Sequence, residues 1–240
     1  MYFNPWMWGM HMNNNMMLYL LVAMLVPLLA QGYLMSTFSR YKKERASSNL
    51  TGAEVARRML DTNGLHHVRI EQTSGKLSDH YDPRSKTVRL SPDIYNRPSV
   101  AAVAVAAHEV GHAIQHANNY IPLTLRSAFV PVVNVANRLG FIAIMAGLIM
   151  EQFFIAEIGI LLIASLFIFQ LITLPVEFNA SRRAMAGLRE MNILYDNSEI
   201  RGARKTLNAA ALTYVAGLIV ALMELLRWVA IVNSSRGRRR

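Results

Sequence analysis

The chain has 240 residues, a formal net charge of +10 and 53% hydrophobic residues, enough for a moderate soluble domain or for a smaller one joined to several membrane spans. It has no cysteine, which excludes disulfides and thiolate metal ligands. The basic residues gather beside apolar blocks, as Arg40, Lys42, Lys43 and Arg45 do after the first; that placement reads as membrane orientation, and nucleic acid is not expected as a partner.

The leader 1–15 carries no Lys or Arg, where a signal peptide would place its positive charge. The apolar block 16–36 is therefore expected to be an uncleaved span, with the N-terminus outside and residue 40 onward in the cytoplasm. Trp6 and Trp8 suit an interfacial belt. In the polar region that follows, Thr51 and Glu54 form a capping box, and Asn63-Gly64 ends the helix that they open. Residues 68–70, 78–81 and 86–91 read as strands, with turn compositions at 73–75 and 82–85. They predict a small antiparallel sheet. Strand 87–91 is expected at its edge, where an extended substrate could pair with it. Pro98-Ser99 then opens an Ala-rich helix from about 100 to 117, with Ser99 as N-cap.

That helix carries the chemistry. His108 and His112 are four residues apart, hence on one face and one turn apart, so two imidazoles can share a metal. Glu109 projects beside them, where a water on that metal would sit. The pattern is the His-Glu-x-x-His zinc signature. Zinc lowers the pKa of its water toward 7 and the carboxylate takes the proton. Ala106, Ala107, Gly111 and Ala113 are small enough for close packing around the site. The competing reading is a helix whose histidines are simply packed or solvated. A catalytic zinc takes three protein ligands and keeps one open position. His116 stands about 12 Å from His108 along a straight helix, and no Gly bends the chain between His112 and His116. It reads as an ordinary helix-end histidine. Glu177 is the better third ligand: it follows an apolar block and begins a helical segment, from which it could reach the metal. The competing reading for Glu177 is a membrane-border carboxylate paired with an arginine.

Several stretches stand in one order along the chain: Leu77-Ser78-Asp79-His80-Tyr81-Asp82-Pro83, Val88-Arg89-Leu90-Ser91, Ala106-Ala107-His108-Glu109-Val110-Gly111-His112-Ala113-Ile114-Gln115, Pro175-Val176-Glu177-Phe178-Asn179-Ala180-Ser181-Arg182-Arg183-Ala184, and Leu207-Asn208-Ala209-Ala210-Ala211-Leu212-Thr213-Tyr214. With these the chain resembles the neutral zinc metallopeptidases of bacterial membranes, the YugP-like group. The resemblance implies a gluzincin-type site, with His108, His112 and Glu177 as ligands of one Zn2+ per chain and Glu109 as general base. More distantly the chain is similar to the prenyl-protein and heat-shock membrane proteases, which carry an Asp four residues after the ligand Glu. Ser181 stands there instead, so a charged partner for the ligand histidines is not expected. His80, Tyr81, Arg182, Arg183 and Tyr214 are all candidate oxyanion donors, and the sequence does not rank them.

Further spans are expected at 127–150, 153–176 and 209–232. The turn between the first two carries no Lys or Arg, as an outside turn should, and Glu177 then returns to the cytoplasmic side with the zinc helix. A fourth crossing would leave the basic tail 236–240 outside, against the rule; either the last segment is re-entrant or the tail is tolerated there. Arg138, inside a span, is a functional-site candidate by default; a structural pairing with Glu224, or a span beginning near Arg138, is the preferred reading. Glu224 and Arg227 are spaced to pair with each other.

The expectation is an α-helical integral membrane protein with a small α+β zincin-like catalytic domain, built from the zinc helix and a short antiparallel sheet. It divides into a leader and first span (1–38), a cytoplasmic-side α+β region with the zinc helix (39–126), a transmembrane hairpin (127–176), a third-ligand helix and connecting segment (177–208), and a final membrane segment with a basic tail (209–240). The function expected is a zinc endopeptidase of the bacterial inner membrane, with the lipid bilayer and polypeptide substrates as partners. The oligomeric state is not written in the sequence. The alternative is a non-catalytic metal-binding membrane scaffold or transporter. An intact Glu109 and the lack of repeated halves speak against it.

Overall fold

The structure, a computed structural model, describes residues 14–237; Trp6 and Trp8 and the last three arginines lie outside the described residues. Helix α1 (Asn14–Tyr41) leads through α2 (Gly52–Thr62) to strands β1 (Arg69–Gln72), β2 (His80–Asp82) and β3 (Thr87–Leu90) and the single turn α3 (Pro92–Tyr95). Helices α4 (Val100–Ala117), α5 (Ile121–Ile149), α6 (Phe153–Glu190) and α7 (Asn197–Gly237) follow. The local signals that open the polar helices act as expected. Thr51 and Glu54 close a reciprocal capping box on α2, and the Ser99 hydroxyl accepts from the Ala102 N–H at 3.2 Å to start α4.

Among the described residues, α1, α5, α6 and α7 are long and apolar enough to cross a bilayer. Their lengths correct one expectation. Glu177 does not begin a new helix: α6 runs unbroken through Pro175, as spans tolerate proline where neighbours re-satisfy the freed backbone groups. The last segment, open between a re-entrant turn and a fourth crossing, is one long helix. Helix α7 is continuous, and Arg236 Nη1 lies 2.8 Å from Glu157 Oε1 near the start of α6. Its C-terminal end therefore stands beside the α5–α6 turn. Helices α5 and α6 meet through glycines: a Cβ on Gly159 would lie 2.6 Å from the Gly140 carbonyl oxygen, the small-residue contact that lets spans approach closely. Glu224 pairs with Arg227 (3.1 Å) and accepts from the Trp228 indole (2.9 Å). It does not pair with Arg138, which is exposed on α5.

The sheet differs from the antiparallel one expected. Its order is β1-β3-β2, with β2–β3 antiparallel and β1–β3 parallel. Two reversals of direction, at 73–79 and at 83–86, restore the heading of β1 in β3, and the intervening β2 supplies the long connection that a parallel pair needs. Strand β3 is therefore central, not an edge. The reason is burial: Thr87, Val88 and Leu90 are buried, whereas β1 and β2 are at most half-buried. The sheet's edges are β1 and β2. Its core joins α2, β3, α4 and the adjoining ends of α1, α6 and α7 through Met59, Leu60, Val88, Leu90, Val110, Leu188 and Leu207. This core holds α4 across the end of the helix bundle.

Candidate metal centre

Helix α4 is buried along most of its length, so its polar side chains need partners. His108 and His112 project from one face, their ring centroids 4.8 Å apart and nearly perpendicular. Helix α6 meets that face at Gly111, where a Cβ would lie 2.6 Å from the Ala180 carbonyl oxygen and 3.1 Å from its Cα. Only a residue without a side chain allows this approach. It carries Glu177, one turn earlier on α6, onto the two imidazoles. Glu177 Oε2 lies 3.2 Å from His108 Nε2 and 3.6 Å from His112 Nε2. One donor atom from each of the three residues lies within 4.8 Å of the others. Three donors held tetrahedrally at about 2.0–2.1 Å from one zinc ion stand about 3.4 Å apart. The spacing, the N/N/O donor set and the burial of Glu177 at 2% exposure fit a divalent metal.

Each group is held from behind. His112 Nδ1 donates to Gln115 Oε1 at 3.0 Å, while Gln115 Nε2 donates to the Val176 carbonyl (2.8 Å) and to Asn179 Oδ1 (3.0 Å). Those two acceptors fix the amide's orientation, which leaves the Nε2 lone pair of His112 facing Glu177. His108 Nδ1 meets the Ser181 hydroxyl at 3.1 Å. Position 181, where the expected acidic partner is missing, thus still supplies a hydrogen-bond partner, a neutral one. Glu177 Oε1 takes the Arg126 guanidinium at 2.7 Å. Glu177 therefore has both of its expected settings at once, one oxygen toward the histidines and the other on an arginine.

Glu109 lies beside the triad, 8% exposed. Burial pushes its carboxyl above the usual carboxylate range, against the opposing pull of His108 and His112. Burial pulls the His112 imidazole down, but the Glu177 carboxylate outweighs it and the net shift is upward. That field favours any cation at the imidazole nitrogens, a proton or a metal. Asp79, itself pushed up by burial, accepts from the Ser91 N–H (2.7 Å) and hydroxyl (3.0 Å). It thereby pins the approach to β2 against the end of β3. The cavity at the triad, about 270 Å³, is lined by Asp79, His80 and Tyr81 on one wall and by Arg126, Glu177 and Tyr214 on the other.

Of the oxyanion candidates, His80, Tyr81 and Tyr214 line this cavity. Arg183 turns instead to Asn179, and Arg182 is exposed. The Tyr81 hydroxyl, pushed up to about 12 by burial and by Asp82, is 2.8 Å from His116 Nδ1. His116 is thus spent on that contact and lies apart from the triad. Sequence reasoning missed Arg126, Asp79 and the role of Gln115. Arg126 sits where any basic residue bordering a span would serve as an anchor, and nothing local marks it as the partner of a carboxylate 51 residues away.

Residues 16–233 match the family described as "Putative neutral zinc metallopeptidase". The chain is also 47% identical over 207 residues to a Bacillus subtilis (strain 168) protein named "Putative membrane protease YugP", covering 86% of this chain and 92% of that one. No solved structure matches.

Proposed function

The chain belongs to the neutral zinc metallopeptidase family, and on that premise we propose that it is a membrane-bound zinc endopeptidase cutting membrane-associated or unfolded polypeptides at the cytoplasmic face of the bacterial inner membrane. The observation that carries this reading is the convergence of His108, His112 and Glu177 beside Glu109 in one cavity.

His108, His112 and Glu177 would hold one zinc ion through Nε2, Nε2 and Oε2. When bound, zinc supplies a Lewis acid that polarises the scissile carbonyl and acidifies water. Glu109 takes the proton from the attacking water on its carboxylate and delivers it to the departing amide nitrogen. Burial, which pushes that carboxyl above the usual carboxylate range, favours its holding the proton between the two transfers. Gln115 and Ser181 keep the imidazoles in register, and Arg126 keeps Glu177 from turning away. Tyr214 faces the cavity from α7 and is the hydroxyl we assign to the developing oxyanion. The edge strand β2 borders the same cavity through His80 and Tyr81, with Asp79 just before it, so an extended polypeptide is the substrate form that fits beside it.

The test is metal content and casein or peptide cleavage by purified protein in detergent, wild type against Glu109→Gln. About one zinc in each, with cleavage by wild type alone, is the expected result. Zinc in both with no cleavage that depends on Glu109 would favour a metal-binding scaffold. Absence of metal from both would overturn the reading.

A further inference from the structure

A second cavity, of about 180 Å³, meets the first at the reacting groups. It shares Asp79, His108, Glu109 and Tyr214 with the first cavity, but its remaining walls are largely apolar: Leu34 and Phe38 from α1, Val105 from α4, Leu207 and Ala210 from α7. We propose that this cavity seats a large apolar side chain of the substrate residue next to the scissile bond, presented from a segment lying at the bilayer surface. The proposal rests on the protease reading and deepens it to a substrate class.

Three observations carry it. His108 and Glu109 form part of the wall, so a side chain in the cavity belongs to a residue adjoining the bond that they address. No Lys or Arg lines it, its two acids are those that also line the first cavity, and apart from the Thr206 and Thr213 side chains the rest of its lining is aliphatic and aromatic carbon. Its level is also set by the spans. Arg126, Glu177 and Tyr214 each stand roughly 23 residues from the far ends of their helices, hence about 35 Å along the axis, against a hydrocarbon core of about 30 Å. Leu34 stands about 30 Å from the start of α1 by the same rise. The cavity, walled in part by α1 and α7, therefore lies at the level where these helices leave the hydrocarbon, the depth at which an apolar residue of a membrane-bound segment lies.

The experiment uses the full zinc-loaded chain in nanodiscs with peptides identical except for Phe, Leu or Ala on either side of a mapped cleavage site. Wild type is expected to cut the Phe or Leu peptide at one of these positions with kcat/KM about 10- to 100-fold above Ala. Ala210→Phe, which fills the cavity, should cut the Phe peptide about tenfold less well than wild type and lose the preference for Phe over Ala, while keeping its zinc. Leu34→Ala, which enlarges the cavity from α1, should shift the preference toward Phe over Leu and serves if Ala210→Phe does not fold. Cleavage without preference in wild type, or a preference that neither substitution changes, overturns the cavity assignment alone. Zinc-loaded wild type that cuts none of the peptides overturns the protease reading, and the assignment with it.

Discussion

Gly111 and Ala180 bring the backbones of α4 and α6 into direct contact, and the meeting of Glu177 with His108 and His112 depends on that contact. A methyl group at Gly111 would lie 2.6 Å from a carbonyl oxygen that belongs to rigid helix, so the helices, not a side chain, would have to give. Gly111→Ala is expected to cost about 1–3 kcal/mol, as overpacking does, and to weaken zinc binding by moving Glu177 off the histidines. Gly32→Ala, where a Cβ meets nothing within 4 Å, should instead stabilise by about 0.5–1 kcal/mol. Thermal melts and zinc titration of the two variants check the opposite signs.

Ser181 and Gln115 orient the imidazoles through Nδ1. Removing either partner with Ser181→Ala or Gln115→Leu should lower zinc affinity about 10- to 100-fold, measured by competition with a chelator. The loss should be larger for Gln115→Leu, because that amide also ties α4 to Val176 and Asn179. Equal affinity in wild type and both variants would refute the role.

Arg126 neutralises a carboxylate that is 2% exposed. Breaking a buried pair by removing one partner costs about 3–5 kcal/mol. Bound zinc would supply a second counter-charge to Glu177. Arg126→Met should therefore destabilise the chelator-treated protein by that amount and the zinc-loaded protein by clearly less. A melt with and without zinc measures the difference, and equal losses in both would show that Arg126 acts elsewhere.

Asp82 ties the β2–β3 turn. Its carboxyl accepts from the Ser85 hydroxyl (2.6 Å), the Arg84 N–H (3.0 Å) and Arg89 (3.2 Å), and these hydrogen bonds, led by Ser85, lower it from 3.8 to about 2 against the opposing effect of burial. A depressed carboxyl contributes stability that is full above its unfolded value and lost as pH falls through the folded one. Asp82→Asn should lower stability by about 1 kcal/mol or less at neutral pH, as for solvent-screened pairs. The gap to wild type should narrow between pH 3.8 and about 2 and close below. Melts across that range check it, and a gap independent of pH would show that the carboxylate's charge is not what matters.

Much of this protein was legible in the chain because the interactions concerned are local. Capping at Thr51 and Ser99 depends on neighbours three residues away. The His108–His112 pair needs only the helix repeat, and the apolar blocks needed only length to read as spans. The spacing of Glu224 and Arg227 likewise sufficed for their pair. What local pattern could not carry was adjacency between distant segments. Alternation marks strands but not which strand lies between the others, so the central place of β3 and its parallel pairing with β1 came from burial in the assembled core. The length of α6 through Pro175, the pairing of Arg126 with Glu177 and the bridging amide of Gln115 were decided in the same way. Each depends on where α6 lies against α4 and α5, and that is set by close packing of small residues at Gly111, Gly140 and Gly159. One residue type at one position permits such contact, but only the folded chain selects which backbone it meets.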